Sequence, residues 1–256
     1  MTERIIKKPA YQPRTYRHWI EGKDLVEFTV TVKETDLYIR ASSNLQRKAQ
    51  RITLKYRRQL ENYIEQNPVF AASLEPLRVP ENAPVIVGRM AEAGRKAGVG
   101  PMAAVAGAIA ECVGRELLDY SPEIIVENGG DIFIKTTRKS TVGVYAGDSP
   151  LTGKIGLEIK PQDTPLGICT SSGTVGHSLS YGRADAVVVV SASVALADAA
   201  ATAIGNRVQS HEDIDSAIEF GRGIEGLKGI LLIIGEKVGV WGDIKLCETS
   251  AGTDAS

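Results

Sequence analysis

The sequence has few cysteines and no excess of either charge. Its three cysteines, Cys112, Cys169 and Cys247, are far apart in the 256-residue chain. None has the C-x-x-C spacing of a zinc site or redox dithiol, so both are excluded and a reducing compartment is expected. Lys and Arg number 30 against 31 Asp and Glu, for a formal net charge of −1. No global field therefore favours nucleic acid or an anionic membrane as partner.

Long hydrophobic runs are also missing. No stretch reaches the ~18 uncharged apolar residues of a transmembrane helix. The first residues, MTERIIKKPAYQPRTYRHW, are basic but lack the apolar core of a secretory signal. We therefore expect a cytoplasmic protein without a membrane partner. With 43% hydrophobic residues the chain can bury an ample core. Since no linker or repeat interrupts it, we predict an arm (1–20), one domain (21–248) and a flexible tail (249–256).

The order of predicted elements favours an α+β fold. Alternating apolar residues predict a hairpin over 26–41, and a long apolar stripe predicts a helix over 42–68 that opens with the cap-competent Ser42 and Ser43. Two helices follow, begun by Pro84 and Pro101. Strands dominate from 123 to 191, and helices near 193–206 and 210–220, the second with a Ser210/Asp213 capping box, precede three closing strands. Strand and helix blocks in this order predict antiparallel sheets packed with helices.

Small residues mark the second of the two proline-initiated helices. Gly100, Gly107 and Gly114 recur every seven residues in GPMAAVAGAIAECVGRE. Because Glu111 and two neighbouring charges rule out a membrane span, we expect this glycine side to pack closely on a sheet or on another small-residue helix.

The first candidate site is the turn VENGGDIFIK. Asn128, Gly129, Gly130 and Asp131 join two predicted strands, and adjacent glycines expose backbone N–H groups to an anionic or carbonyl-bearing ligand. The same NGG pattern is also typical of an ordinary hairpin turn, so both interpretations stay open.

The second candidate site is the hydroxyl-rich stretch GICTSSGTVGHSLSYG, residues 167–182. Its donors, Thr170, Ser171, Ser172 and Gly173, suit a phosphate or the edge of a flavin-like ring. His177 is the candidate general acid or base, since imidazole titrates near neutral pH. A turn that satisfies its own backbone is the alternative. Cys169 at the strand end is more typical of a small buried hydrophobe than of a nucleophile, and we expect Cys112 and Cys247 to be inert.

The third candidate site is the alanine-rich helix LADAAATA. Asp198 and Thr202 are one turn apart and present two oxygens on one side. Mg²⁺ takes oxygen ligands of this kind together with water and substrate phosphate. An Asp buried against an arginine or backbone amides is the equally weighted alternative.

The three motifs together resemble the ApbE superfamily, the FAD:protein FMN transferases. GGD at 129–131, SSG at 171–173 followed by His177, and ADAAATA at 197–203 occur in that family's order, and the whole chain looks most like its uncharacterised protein family 0280. The resemblance implies an ApbE-like, T-fold-related single domain. It also implies that Asp198 and Thr202 bind Mg²⁺ with a backbone carbonyl from GPMAAVAGAIA, and that FAD or a related flavin nucleotide is the ligand.

The sequence departs from the transferases after His177. Their DPxTG segment, which helps enclose FAD, is replaced here by SLSYGRAD. The first functional hypothesis is an Mg²⁺-assisted, flavin transferase-like enzyme acting on a small phosphorylated or nucleotide-like ligand. Two alternatives remain: a non-catalytic flavin or nucleotide binder, and an accessory factor in sulfur assimilation and homocysteine formation, in which Cys169 would carry sulfur. A protein acceptor and a homo-oligomer are left open as partners.

Overall fold

The computed structural model describes residues 24–173 and 182–249. The predicted arm, His177 and all but the first residue of the predicted tail lie outside these described residues, and the predicted domain boundaries stay predictions.

Eleven strands form two sheets within the described residues. Eight of them make one sheet in the order β1-β2-β3-β4-β7-β8-β9-β10, and three make a smaller sheet in the order β11-β6-β5. Every neighbouring pair is antiparallel. The strands are β1 Val26–Val32, β2 Thr35–Ala41, β3 Ile124–Asn128, β4 Asp131–Lys135, β5 Ser140–Gly143, β6 Ile155–Ile159, β7 Leu166–Ser171, β8 Ala186–Ser191, β9 Leu227–Ile234, β10 Lys237–Gly242 and β11 Lys245–Glu248.

The helices are separated from the strands in the way that the sequence predicts for an α+β fold. They are α1 Gln46–Gln66, α2 Val69–Ala72, α3 Val85–Ala97, α4 Val105–Leu117, α5 Val194–Gly205 and α6 Ile214–Arg222. Helix α3 ends at Gly98 in the left-handed conformation, and a short 3₁₀ turn from Pro101 leads into α4. The break predicted between the two proline-initiated helices is confirmed.

The eight-stranded sheet separates two hydrophobic cores. Residues such as Phe133 and Val189 on one side pack against the helices. Residues such as Ile134 and Val188 on the other side pack against the three-stranded sheet. Successive residues of a strand point to opposite sides, so each central strand is buried on both faces. The α+β prediction, with antiparallel sheets and helices packed together, is confirmed.

Two local predictions have different outcomes. The Ser210/Asp213 capping box is present. The predicted serine cap of α1 is wrong: the Asn44 side chain accepts the Gln46 N–H at 3.0 Å, while Ser42 is hydrogen-bonded to Ser121, 79 positions later. A tertiary partner outcompetes the local cap for this serine.

Over the described ranges, no single helix is long and apolar enough to cross a membrane. The pair Val85–Ala97 and Pro101–Leu117 reaches that length and composition together, but it is bent by 107°.

Candidate functional site

The NGGD motif forms the tight turn between β3 and β4. Gly129 and Gly130 have φ of 69° and 106°, and Asn128 pairs with Asp131 across the hairpin. A two-residue hairpin turn with positive φ at both central residues matches the twist of the flanking strands. Glycine adopts positive φ without strain. The Asn128 side chain donates to the carbonyl oxygen of Ala106 at 3.0 Å, which ties the turn to the start of α4. The hairpin interpretation is confirmed, and the turn also faces a helix N-terminus.

Strand β7 brings the hydroxyl-rich stretch beside this turn. Cys169 is the direct cross-strand partner of Asp131. Strand alternation puts Cys169 and Ser171 on the helix side, and the Thr170 side chain on the opposite side. The Thr170 backbone N–H acts to lower the pKa of the Asp131 carboxyl, against the larger effect of burial. A Cβ placed on Gly205 would stand 3.7 Å from Ser171 Oγ, so Ser171 lies against the end of α5.

Helices α4 and α5 meet at Gly107 and Asp198. The Gly107 N–H donates to Asp198 Oδ2 at 2.8 Å. A Cβ on Gly107 would stand only 2.6 Å from the Val194 carbonyl oxygen and 2.8 Å from Asp198 Cβ. Glycine is therefore what permits this approach, and the predicted close packing of the seven-residue glycine series is confirmed here. Gly107 is the third residue of α4, where backbone N–H groups lack helical partners, so Asp198 caps that helix from its neighbour.

The structure thus brings Asp131, Asp198 and Cys169 together between the sheet and two helices. Asp198 and Thr202 are both half-buried and four residues apart on α5, so their side chains lie on the same side of the helix. Ser171 ends β7 beside the C-terminal end of α5. Ser172 and Gly173 follow it outside the strand, and the Gly173 N–H donates to the Ala184 carbonyl oxygen at 2.9 Å. The backbone-amide alternative for Asp198 is present in the structure, although each carboxylate oxygen can accept more than one partner.

The electrostatics of the cluster are unfavourable for two ionised carboxylates. Burial raises the pKa of Asp131 well above its usual range, and the negative charge of Asp198 raises it further. Burial also raises the pKa of Asp198 to about 7, against the opposing effect of the Gly107 and Ala106 backbone amides. Two carboxyl groups in such a site are both ionised only if a cation lies between them. Without a cation they share one proton.

Within the described part of the chain, no cationic side chain compensates this pair. Among residues 24–173 and 182–249, neither Asp131 nor Asp198 forms an ion pair with a lysine, arginine or histidine. The same ranges hold no group of three His, Cys, Asp or Glu side chains arranged to bind a metal ion. Mg²⁺ commonly takes only one or two protein carboxylates, with water and ligand phosphate completing its shell. Two carboxylates and a hydroxyl, all hard oxygen donors, fit that ion.

The cysteines have distinct surroundings. Cys169 is fully buried within reach of the Asp131 carboxylate, and its Sγ lies 3.4 Å from the Val194 carbonyl oxygen. Burial, followed by the charges of Asp131 and Asp198, raises the pKa of its thiol. Burial raises the pKa of Cys112 to about 12. Both buried thiols are thus held protonated, the form that does not attack electrophiles.

Sequence reasoning missed how two of the site's groups act. Gly107 was expected to pack closely on a neighbouring element. Its hydrogen bond to Asp198 could not be predicted from a local pattern, because the two residues are 91 positions apart. Glu111 was noted only as a charge that rules out a membrane span, yet it is 1% exposed in the finished fold. A glutamate that interrupts the apolar run VAGAIAECV is the signal that could have found it.

Comparisons with known proteins identify the same family as the motifs. The family model described as "AbpE bacteria" matches residues 17–241. The UPF0280 protein of Methanocaldococcus jannaschii is 44% identical over 221 residues, covering 84% of this chain and 90% of its own. That of Methanosarcina acetivorans is 46% identical over 191 residues, covering 74% and 75%.

Two solved structures share the fold at low sequence identity. The apo flavinyl transferase ApbE of Pseudomonas stutzeri superposes with a TM-score of 0.54 at 12% identity, covering 90% of this chain and 96% of its own. The ApbE protein of Thermotoga maritima gives 0.54 at 13% identity, covering 85% and 96%. At such identities the likeness establishes the ApbE fold.

Proposed function

Because this chain belongs to the UPF0280 group of the ApbE-like superfamily, we propose that it is a divalent-cation-dependent, flavin transferase-like enzyme acting on a phosphorylated, nucleotide-like ligand. FAD is the first ligand to test, since solved relatives of the fold are described as flavin transferases. The observation that carries the proposal is the close pair of the buried Asp131 and the half-buried Asp198, which lacks a cation from the described part of the protein.

Each residue of the cluster has a definite task in this proposal. Asp198 and Asp131 supply negative charge for Mg²⁺, and Thr202 supplies a neutral oxygen one turn from Asp198. Bound there, the ion would supply charge stabilisation at ligand phosphate oxygens during group transfer. Asp198 also keeps its cap on α4, which holds its carboxylate in one orientation.

The turn and the strand end complete the ligand side of the site. Gly129 exposes backbone at the β3–β4 turn, and Ser171 offers a hydroxyl at the end of α5. The N–H groups of Gly130 and Gly173 already donate to Glu127 Oε1 and to the Ala184 carbonyl oxygen, both at 2.9 Å. Thr170 takes part through its backbone, because its side chain lies on the other side of the sheet. His177 remains our candidate acid or base on the family resemblance alone, as it lies outside the described residues.

A non-catalytic flavin or nucleotide binder is the second candidate. It needs the same cation and donors but no transfer step, and the SLSYGRAD departure after residue 177 motivates it. The sulfur-carrier alternative requires a thiolate that can reach a partner. Full burial and a raised pKa of Cys169 argue against it.

The test is incubation of the purified chain with FAD, with and without Mg²⁺. AMP release that depends on Mg²⁺ and is lost in Asp198→Asn supports the enzyme. The exposed Asp215→Asn, on α6, is the matched control and should retain full activity. FAD that binds in a Mg²⁺-dependent manner and stays intact supports the binder. If FAD neither binds nor is cleaved, flavin is not the ligand of this site.

A further inference from the structure

Glu111 lies in the middle of α4 with only 1% of its surface exposed. Its Oε2 accepts the backbone N–H groups of Val194 at 2.9 Å and Ala195 at 3.3 Å, and the Ser193 hydroxyl at 3.3 Å. These are the first backbone donors of α5, which have no partner inside their own helix. A carboxylate at a helix N-terminus is also favoured by the helix dipole. Glu111 therefore caps α5 from a neighbouring helix.

The other oxygen of Glu111 faces two arginines. Oε1 accepts from Arg115 Nε at 2.9 Å and also from the Arg89 guanidinium. Charge-assisted bonds on both oxygens offset the cost of burying the carboxylate. Because its charge is already compensated, Glu111 has little tendency to recruit a further cation.

Helices α4 and α5 consequently cap each other. Asp198 of α5 accepts the Gly107 N–H at the start of α4, and Glu111 of α4 accepts the N–H groups at the start of α5. Glu111 follows Gly107 by four residues and Asp198 follows Val194 by four residues, so the two contacts are one helical turn apart. Two such contacts, with the tight approach at Gly107 between them, fix both the sliding and the rotation of α5 against α4.

We propose that Glu111 is a positioning residue for Asp198: by holding the first turn of α5, it sets where the Asp198 carboxylate stands against α4. The consequence for cation binding rests on the proposed function, whereas the geometric claim does not. Glu111 contacts neither ligand nor cation in this proposal, and it acts only through the backbone of α5.

The substitution Glu111→Gln tests this claim because a carboxamide cannot satisfy both sides. If its oxygen faces the two arginines, its NH₂ group confronts the Val194 N–H, donor against donor. If its oxygen faces α5, its NH₂ group confronts the arginines. In either orientation the first turn of α5 loses a charged acceptor or gains a repulsive contact.

Glu123→Gln is the matched control. Glu123 is another buried carboxylate that accepts a backbone N–H, that of Thr137 at 2.7 Å, and an arginine contact from Arg138 at 3.4 Å. It lies just before β3, and among the described residues no hydrogen bond or ion pair joins it to α5. Both variants are expected to lower thermal stability, so a loss of stability alone does not support the proposal.

The deciding readout is the Gly107 amide in ¹⁵N-labelled, metal-free protein, far below the melting temperature. The hydrogen bond to the Asp198 carboxylate shifts this amide proton downfield and slows its exchange with solvent. Glu111→Gln should move the resonance upfield and accelerate exchange, while Glu123→Gln should leave both unchanged. An unchanged Gly107 amide in folded Glu111→Gln would overturn the proposal.

Two further measurements keep the test decisive. If Glu111→Gln does not fold, Glu111→Asp replaces it, because aspartate keeps the charge but is one methylene shorter. It should shift the Gly107 amide resonance in the same direction. An unshifted resonance would again overturn the claim. In the folded variants, Mg²⁺ affinity by calorimetry should weaken at least ~10-fold for Glu111→Gln, as for residues that orient metal ligands, and little for Glu123→Gln. If wild type binds no Mg²⁺ but the Gly107 amide still responds, the proposed function fails and the positioning role stands.

Discussion

The α4–α5 contact has a carboxylate at each end, and only one of the two is compensated by cationic side chains. Around Glu111, two arginines and two backbone amides compensate one carboxylate. Around Asp198, one turn away, a second carboxylate lies nearby and no cationic side chain of the described chain pairs with either. The first arrangement is complete as it stands. The second is stable only with a shared proton or a bound cation, and this difference separates a structural carboxylate from a candidate ligand site.

The largest effect is expected where both regions depend on one close approach. Gly107→Ala would push a methyl group to 2.6 Å from the Val194 carbonyl oxygen, so α4 and α5 must separate. We expect a loss of up to about 3 kcal/mol of unfolding free energy by urea titration, as in overpacked cores. Gly88→Ala on α3, with no heavy atom within 4 Å of the new Cβ, is the control and should gain ~0.5–1 kcal/mol from helix propensity. Equal effects of the two substitutions would contradict the close-contact argument.

The pH dependence of metal-free stability separates a shared proton from an ionised pair. The pKa of Asp198 is about 7 in the folded chain, against ~3.9 when unfolded. Between these values the folded state binds more protons than the unfolded state, so stability is fully present below about pH 4 and declines as pH rises to about 7. Allowing for solvent at this half-buried group, we expect a decline of roughly 2 kcal/mol in EDTA. Asp198→Asn should make the profile between pH 4 and 7 less steep and leave the contribution of Asp131, whose pKa burial also raises. An equally steep profile in that variant would assign the titration elsewhere.

The Thr202 hydroxyl has a smaller expected effect. Thr202→Val keeps the side-chain shape and removes the oxygen, so Mg²⁺ affinity should fall ~10-fold, equivalent to ~1.4 kcal/mol. Thr202→Ser keeps the hydroxyl and should bind nearly as wild type. Calorimetry in the folded state measures both, and a valine variant with wild-type affinity would remove Thr202 from the ligand set.

The smallest effect concerns the thiols. Cys112 and Cys169 are buried and Cys247 is half-buried on β11, so iodoacetamide should label Cys247 first and the other two only on unfolding. Cys112→Ala and Cys247→Ala should leave ligand binding unchanged, as the sequence predicts. Rapid labelling of Cys169 in native protein, read by mass spectrometry, would reopen the sulfur-carrier hypothesis.

Sequence patterns predicted most of the fold because its signals are local. Alternation in VEFTVTV, the NGG turn and the Ser210/Asp213 box each act within a few residues, and their elements formed as predicted. The Asp131–Asp198 approach and the Glu111 cap join positions more than 60 residues apart, so no local pattern encodes them. Ser42 shows the same limit. Its local sequence is typical of a helix N-cap, but its hydroxyl is hydrogen-bonded to the distant Ser121 instead.

The most direct test of the central claim is a thermal melt of wild type and Asp198→Asn at pH 8, each in EDTA and in Mg²⁺. If the carboxylate pair is a cation site, Mg²⁺ at 100 times its dissociation constant should stabilise wild type by ~2.7 kcal/mol and the variant by almost nothing. If Asp198 serves only as the cap of α4, the variant should instead lose ~1–3 kcal/mol with or without metal. Equal Mg²⁺ shifts in the two proteins would contradict the claim that this pair binds the cation.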